Sequence, residues 1–153
     1  MAVDMFLKID GVEGGHIKGE IEVLSFAWGI NQAATQQQGG GAGAGKVNVQ
    51  DFLIAKRVDQ VSPKLMEMCC RGEHVSFATL TLRKAGDKQQ DYFTIKMTDA
   101  LISSYQTGGG GGGTEPTEQV SFSFANVQVS ALEQKADGSI GGAVSSSSCH
   151  FGK

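Results

Sequence analysis

The chain has 153 residues, 40% hydrophobic and 19% charged, with 13 basic against 16 acidic side chains for a net charge of -3. That length fits one domain, and that composition supports a packed core, which excludes a wholly disordered chain. The basic residues are scattered singly or in pairs such as Lys56-Arg57 and Arg83-Lys84, so no concentrated positive patch favours nucleic acid, and no apolar run approaches the ~18 residues of a membrane span.

In chain order, Met5, Leu7 and Ile9 alternate with Asp4 and Lys8, which predicts a first strand ended by Asp10-Gly11. Asp4 and Lys8 also interrupt this stretch before it could serve as a signal-peptide core, so a cytoplasmic chain is expected. From Glu20 to Asn31, Leu24, Phe26, Trp28 and Ile30 share one face, and Val23, Ser25 and Ala27 the other. One long strand is predicted, with the bulky face in the core and the small face outside. After the glycines at 39–45, Val47 and Val49 alternate with Asn48 and Gln50 before the apolar phase moves to Phe52 and Ile54. The phase moves again where Val120, Phe122 and Phe124 give way to Val127 and Val129 across Ala125-Asn126. Each change predicts a β-bulge, and bulged long strands predict a curved sheet closing toward a barrel. Residues 75–84 and 91–103 flank the turn Ala85-Gly86-Asp87-Lys88, which reads as a hairpin with Phe93, Ile95, Met97 and Leu101 on its second arm. One segment departs from this pattern. Ser62 offers an N-cap oxygen, Pro63 suits the first helical position and Gly72 the residue past the end, so one short helix should plug the barrel with Leu65, Met68 and Cys69.

Chemical motifs are weak. Gly40 to Lys46 satisfies the Gly-x-x-x-x-Gly-Lys part of a phosphate-binding loop, but Val47 stands where a Ser or Thr should hold magnesium and a strand follows, so a flexible loop is expected. His16, His74 and His150 show no metal-binding spacing, and Cys69, Cys70 and Cys149 are too few and poorly spaced for a disulfide framework, so they are expected reduced. Phe26 and Trp28 read as core aromatics rather than a stacking platform. No catalytic signature is present, so no catalytic residue, cofactor or metal is assigned.

Seven ordered segments carry a family resemblance. They are Ala2-Val-Asp-Met-Phe-Leu-Lys-Ile-Asp10, Glu22-Val-Leu-Ser-Phe-Ala-Trp-Gly29, Gly45-Lys-Val-Asn-Val-Gln-Asp51, Ser62-Pro-Lys-Leu65, Leu82-Arg-Lys-Ala-Gly86, Ile102-Ser-Ser-Tyr105 and Lys135-Ala-Asp-Gly138. Together they resemble the haemolysin-coregulated proteins, which form the inner tube of type VI secretion systems. The resemblance implies a mainly β fold: a two-sheet antiparallel β-barrel with one short α-helix and long glycine-rich loops, over residues 1–138. It implies hexameric rings stacked head to tail, sheath and spike as partners, small protein effectors carried in the lumen, and export without a signal peptide. It places Ser25 and Ala27 on the lumen. The loop holding Gln36, Gln37, Gln38, Gly39, Gly40, Gly41, Gly43 and Gly45 is expected between subunits or rings, and Gly86, Asp87 and Lys88 on a ring face. A monomeric ligand-binding β-barrel is the alternative. The family pattern ends in an aromatic strand with a Gly-Trp pair, whereas here Gly141-Gly142 leads to four serines. A serine-rich tail over 139–153 is therefore expected, mobile unless a neighbouring ring orders it.

Five glycines in the loop at 36–46 leave few side chains to fold it alone. Deleting residues 39–44 should impair ring or tube assembly, measured by native mass spectrometry, while circular dichroism shows the barrel still folded.

Overall fold

The computed structural model describes residues 3–15, 19–32, 47–84, 90–134 and 140–151. Its barrel wall is β1 (Val3–Ile9), β2 (Ile21–Val23), β3 (Ser25–Ala27), β6 (Phe52–Arg57), β7 (His74–Lys84), β8 (Asp91–Gly108) and β9 (Thr117–Gln134), in the order β2-β1-β7-β8-β9-β6-β3. All of these pairings are antiparallel. β4 (Ile30–Gln32) and β5 (Val47–Val49) form a separate ribbon, and β10 (Ile140–His150) adds to β9. The expected mainly β barrel with one helix is what these elements build.

The expected single strand from Glu20 to Asn31 is instead three short ones. β2 pairs with β1, and the chain then changes partner at Leu24, whose N–H donates to the Ala55 carbonyl, so that β3 pairs with β6. This exchange brings the two ends of the sheet together. Its consequence for burial is a phase change: Ile21 and Val23 lie in the core, whereas Leu24 is 38% and Ile30 46% exposed. The bulky face is therefore only partly core. Phe26 stacks on Phe52 with centroids 5.9 Å apart, and Trp28 tilts against Phe52 and Phe124.

The phase change at 47–54 likewise separates two strands of different sheets rather than marking one bulge. On β9, burial does move from Val120, Phe122 and Phe124 to Ala125 and Val127. Its pairing with β8 keeps one register through Thr98↔Asn126 and Ala100↔Phe124, with Asp99 at φ 53 between them. The left-handed Asp99 turns β8 over together with β9, and the register shift in this ladder lies farther along, between Ile102 and Ser104.

Helix α1 (Ser62–Arg71) buries Ser62, Leu65 and Met68 against the barrel. Pro63 opens it and Gly72 closes it at φ 61, a left-handed position that glycine adopts without a Cβ penalty. Ser62 is not the N-cap. Its hydroxyl accepts from the Asp59 N–H at 2.9 Å and donates to Glu118 at 2.7 Å, while the Asp59 carboxylate accepts from the Val61 N–H.

Ser62 thereby joins a buried polar cluster. Lys56 is 0% and Glu118 1% exposed, and they form an ion pair directly across the β6–β9 ladder. The Lys56 ammonium also donates to the Arg57 carbonyl at 2.9 Å and the Asp59 carboxylate at 3.0 Å. The Tyr105 hydroxyl donates to the other Glu118 oxygen. Burial, reinforced by that hydrogen bond, pushes the Tyr105 phenol up to about 12. A second cluster ties β7 to its neighbours. Arg83 pairs with Asp91 at 2.5 Å and Glu20 at 3.2 Å and lies over the Phe6 ring, and the bond to Asp91 raises its pKa.

The expected mobile tail is a strand. From Val144↔Leu132 to His150↔Asn126 its backbone pairs with β9, and Phe151 packs on Phe124 at 5.8 Å. Backbone hydrogen bonds need no apolar side chain, so a serine run can serve as a strand where a long partner already stands.

Two measurements follow from this packing. Phe151→Ala should destabilise the barrel by about 1–3 kcal/mol in denaturant titration, the scale of a partly buried aromatic side chain. For Tyr105, the folded pKa lies above the ordinary value of about 10. Its contribution to stability is therefore complete below pH ~10 and lost as pH rises toward the folded value. The stability difference between the unaltered chain and Tyr105→Phe should shrink over that interval.

Candidate functional site

Directly opposite residues on neighbouring strands share a face, so the register of β3, β6, β9 and β8 defines what the barrel presents outward. One row reads Ser25–Ala55–Gln119–Gln106 and the next Ala27–Leu53–Ser121–Ser104. Ser25 and Ala27 are both exposed, as is Gln119, whereas Leu53, Ala55 and Ser121 are partly covered. The alternate residues of these strands, Phe52, Ile54, Val120 and Phe122, are fully buried. One side of the four strands is thus core, and the other is a sheet face of small and neutral side chains.

None of the eight residues in these rows ionises. Charge begins at the margins. Arg57, next along β6, pairs with Glu115 at 3.0 Å and with Glu22 at 3.6 Å. At the other end the Asp51 carboxylate accepts from the Ser103 hydroxyl at 2.6 Å. A shallow polar depression lined by Gln106, Thr107, Gly108, Thr117 and Gln119 continues the face toward the β8–β9 loop.

Of the other candidates, the loop residues Gln36, Gln37, Gln38, Gly39, Gly40, Gly41, Gly43 and Gly45 lie outside the described residues, as do Gly86, Asp87 and Lys88 of the turn, and His16. β4 and β5 lead into that loop with Ile30 and Val47 exposed. His74 lies 3.1 Å from Asp99, and His150 bonds to Asn126. Among the described residues no three His, Cys, Asp or Glu side chains gather as a metal site, and Cys69, Cys70 and Cys149 are free thiols. No helix among them is long and apolar enough to cross a membrane.

Sequence reading found Ser25 and Ala27 but not the rest of the rows, because only the register sets Ala55 and Gln119 beside Ser25. It also missed Lys56 and Glu118. Their signal was present: each continues the apolar phase of its strand, Lys56 after Phe52 and Ile54, and Glu118 before Val120 and Phe122.

Comparison with known proteins supplies the context. The family described as type VI secretion system effector, Hcp, matches residues 6–130. The protein Hcp1 of Pseudomonas aeruginosa is 47% identical over 144 residues, covering 90% of this chain and 88% of that one. A solved structure of a type six secretion system protein has a TM-score of 0.90 at 28% identity, covering 98% of this chain and 96% of the other. Hcp1 from Salmonella typhimurium has a TM-score of 0.81 at 33% identity, covering 99% and 96%. With the family pattern running through most of the barrel and the fold shared end to end, this chain belongs to the Hcp family of type VI secretion system proteins.

Proposed function

We propose that the chain is the ring-forming subunit of the type VI secretion inner tube and that its neutral sheet face lines the channel. The observation that carries this reading is the contrast across β3, β6, β9 and β8, where aromatic and branched side chains pack on one side and Ser25, Ala27, Ala55 and Ser121 stand on the other. A solvated channel wall accepts small uncharged residues without loss, and small side chains keep the bore wide for cargo. In this reading six copies close a ring, rings stack head to tail, and small protein effectors travel inside. Residues 1–138 make up the tube domain, and the tail of residues 139–153 carries β10, which adds to β9. The loop from Gln36 to Gly45 bridges neighbouring subunits or rings, and Gly86, Asp87 and Lys88 sit on a ring face. Sheath and spike drive export from the cytoplasm without a signal peptide. The subunit has no catalysis or cofactor of its own, and neither nucleic acid nor membrane insertion enters its work.

The rival reading is a monomeric barrel that binds a small ligand. Leu7, Ile9, Ile54, Leu80 and Met97 are fully buried in the barrel interior, a packed core where that ligand would have to sit. Mass in solution separates the two readings, since a monomer at micromolar concentration would end the ring proposal.

Ala27→Arg probes the face itself. Exposure of Ala27 leaves room for the longer side chain, so the cost in stability should stay within about 0.5 kcal/mol. Rings should persist by native mass spectrometry while effector retention or export falls. Misfolded monomer would instead place Ala27 in a core or a tight contact.

A further inference from the structure

We propose that the buried Lys56–Glu118 pair is a register lock, selecting between two pairings of β6 with β9 that are alike in their other core-facing contacts. The core-facing residues of β6 are Phe52, Ile54 and Lys56, and they meet Phe122, Val120 and Glu118. A slide of one residue turns the apolar set outward and is excluded by burial alone. A slide of two residues is not. It would set Phe52 against Phe124 and Ile54 against Phe122, apolar on apolar throughout. Among these core-facing pairs only the charged one registers the error: Lys56 would face Val120 and keep just the Asp59 carboxylate of its own segment, while Glu118 would be left enclosed without a cation.

Leaving the enclosed Glu118 carboxylate without its counter-charge costs far more than the intact pair contributes, so the pair acts chiefly against the wrong pairing. Its surroundings strengthen the discrimination. Glu118 is held by Ser62 of α1 and Tyr105 of β8, and the Lys56 ammonium by the Arg57 carbonyl and Asp59 as well. A slide would part Glu118 from Lys56 and pull on its bond to Ser62, whereas the Tyr105 bond stays within the β8–β9 ladder and the Arg57 and Asp59 bonds within the sliding segment. It would also bring Ser121 rather than Gln119 opposite Ala55 and misalign the neutral rows. That last consequence rests on the tube reading, whereas the lock itself rests on the pairing alone.

Cross-linking reads the register directly. The Ala55 carbonyl turns toward β3 to accept the Leu24 N–H, so toward β9 Ala55 and Gln119 form a non-hydrogen-bonded pair, whose close Cα atoms suit a disulfide. In a background with Cys69, Cys70 and Cys149 changed to alanine, Ala55→Cys with Gln119→Cys reports the observed pairing, and Ala55→Cys with Ser121→Cys the slide. With Lys56 and Glu118 present, oxidation should link only the first pair, as read by mass spectrometry of the digested protein. With Lys56→Met and Glu118→Leu, the chain should still fold and both pairs should link to comparable extents. Moving the acid two residues along, by Glu118→Val with Val120→Glu, should transfer the link to the second pair. Exclusive linking of the first pair in both variants overturns the lock. Failure of the Met/Leu variant to fold overturns it too, because the charges would then be required for stability rather than selection. Ring assembly of the same variants is measured separately by sizing: a shifted register with rings intact leaves the lock standing and removes its tie to the tube.

Discussion

The Lys56 ammonium has no access to water, so each element that meets it must supply an acceptor. Its acceptors come from β6 itself, from the turn before α1, from the first residue of α1 and from β9. Tyr105 brings in β8 through Glu118. Satisfying one buried cation therefore fixes the relative positions of three strands and the helix, which apolar packing alone constrains more loosely. Leu65 and Met68 cover the barrel beside this cluster, so the helix is seated by polar geometry at its start and apolar contact along its length.

Arg83 does comparable work on β7, joining Asp91 and Glu20 while its guanidinium covers Phe6. The clusters differ in exposure, since Asp91 remains about half accessible and Glu118 is fully enclosed. Between them the wall closes through one short run. Residues 21–27 bond to β1 with their first half and to β6 with their second, so the strand nearest the N-terminal hairpin also frames the neutral face.

Much of this was legible as period. The alternation of Leu7 and Ile9, of Ile95 and Met97, and of Val120 and Phe122 marked core-facing strand residues, and Pro63 and Gly72 bounded the helix. What alternation does not encode is partner choice. Nothing in the run from Ile21 to Ile30 announces that β1 is exchanged for β6 at Leu24, because that break is set by where the sheet must close. β10 was hidden for a different reason. Four serines carry no hydrophobic signal, and their strand depends on hydrogen bonds to β9. The candidate face was half legible: small residues at 25 and 27 stood out, but the residues beside them come from segments about 30 and 95 positions away and belong together only through register.

The 18-residue strands β8 and β9 are joined by a short exposed loop containing Gly112 and Gly113, both at positive φ. Their pairing is local in sequence, as are those of β7 with β8 and of β9 with β10, so these ladders cost little chain entropy. Closing β3 onto β6, or Lys56 onto Glu118, joins far more distant segments. Assembly order is thereby biased: the local ladders from β7 to β10 form early and offer β9 as a template on which β6 settles, and the circle closes last. A nascent chain that has not yet made residues 117–134 has no such template, so β1, β2 and β3 can meet their neighbours early, but β6 lacks its second partner and the wall cannot close until the C-terminal third is made.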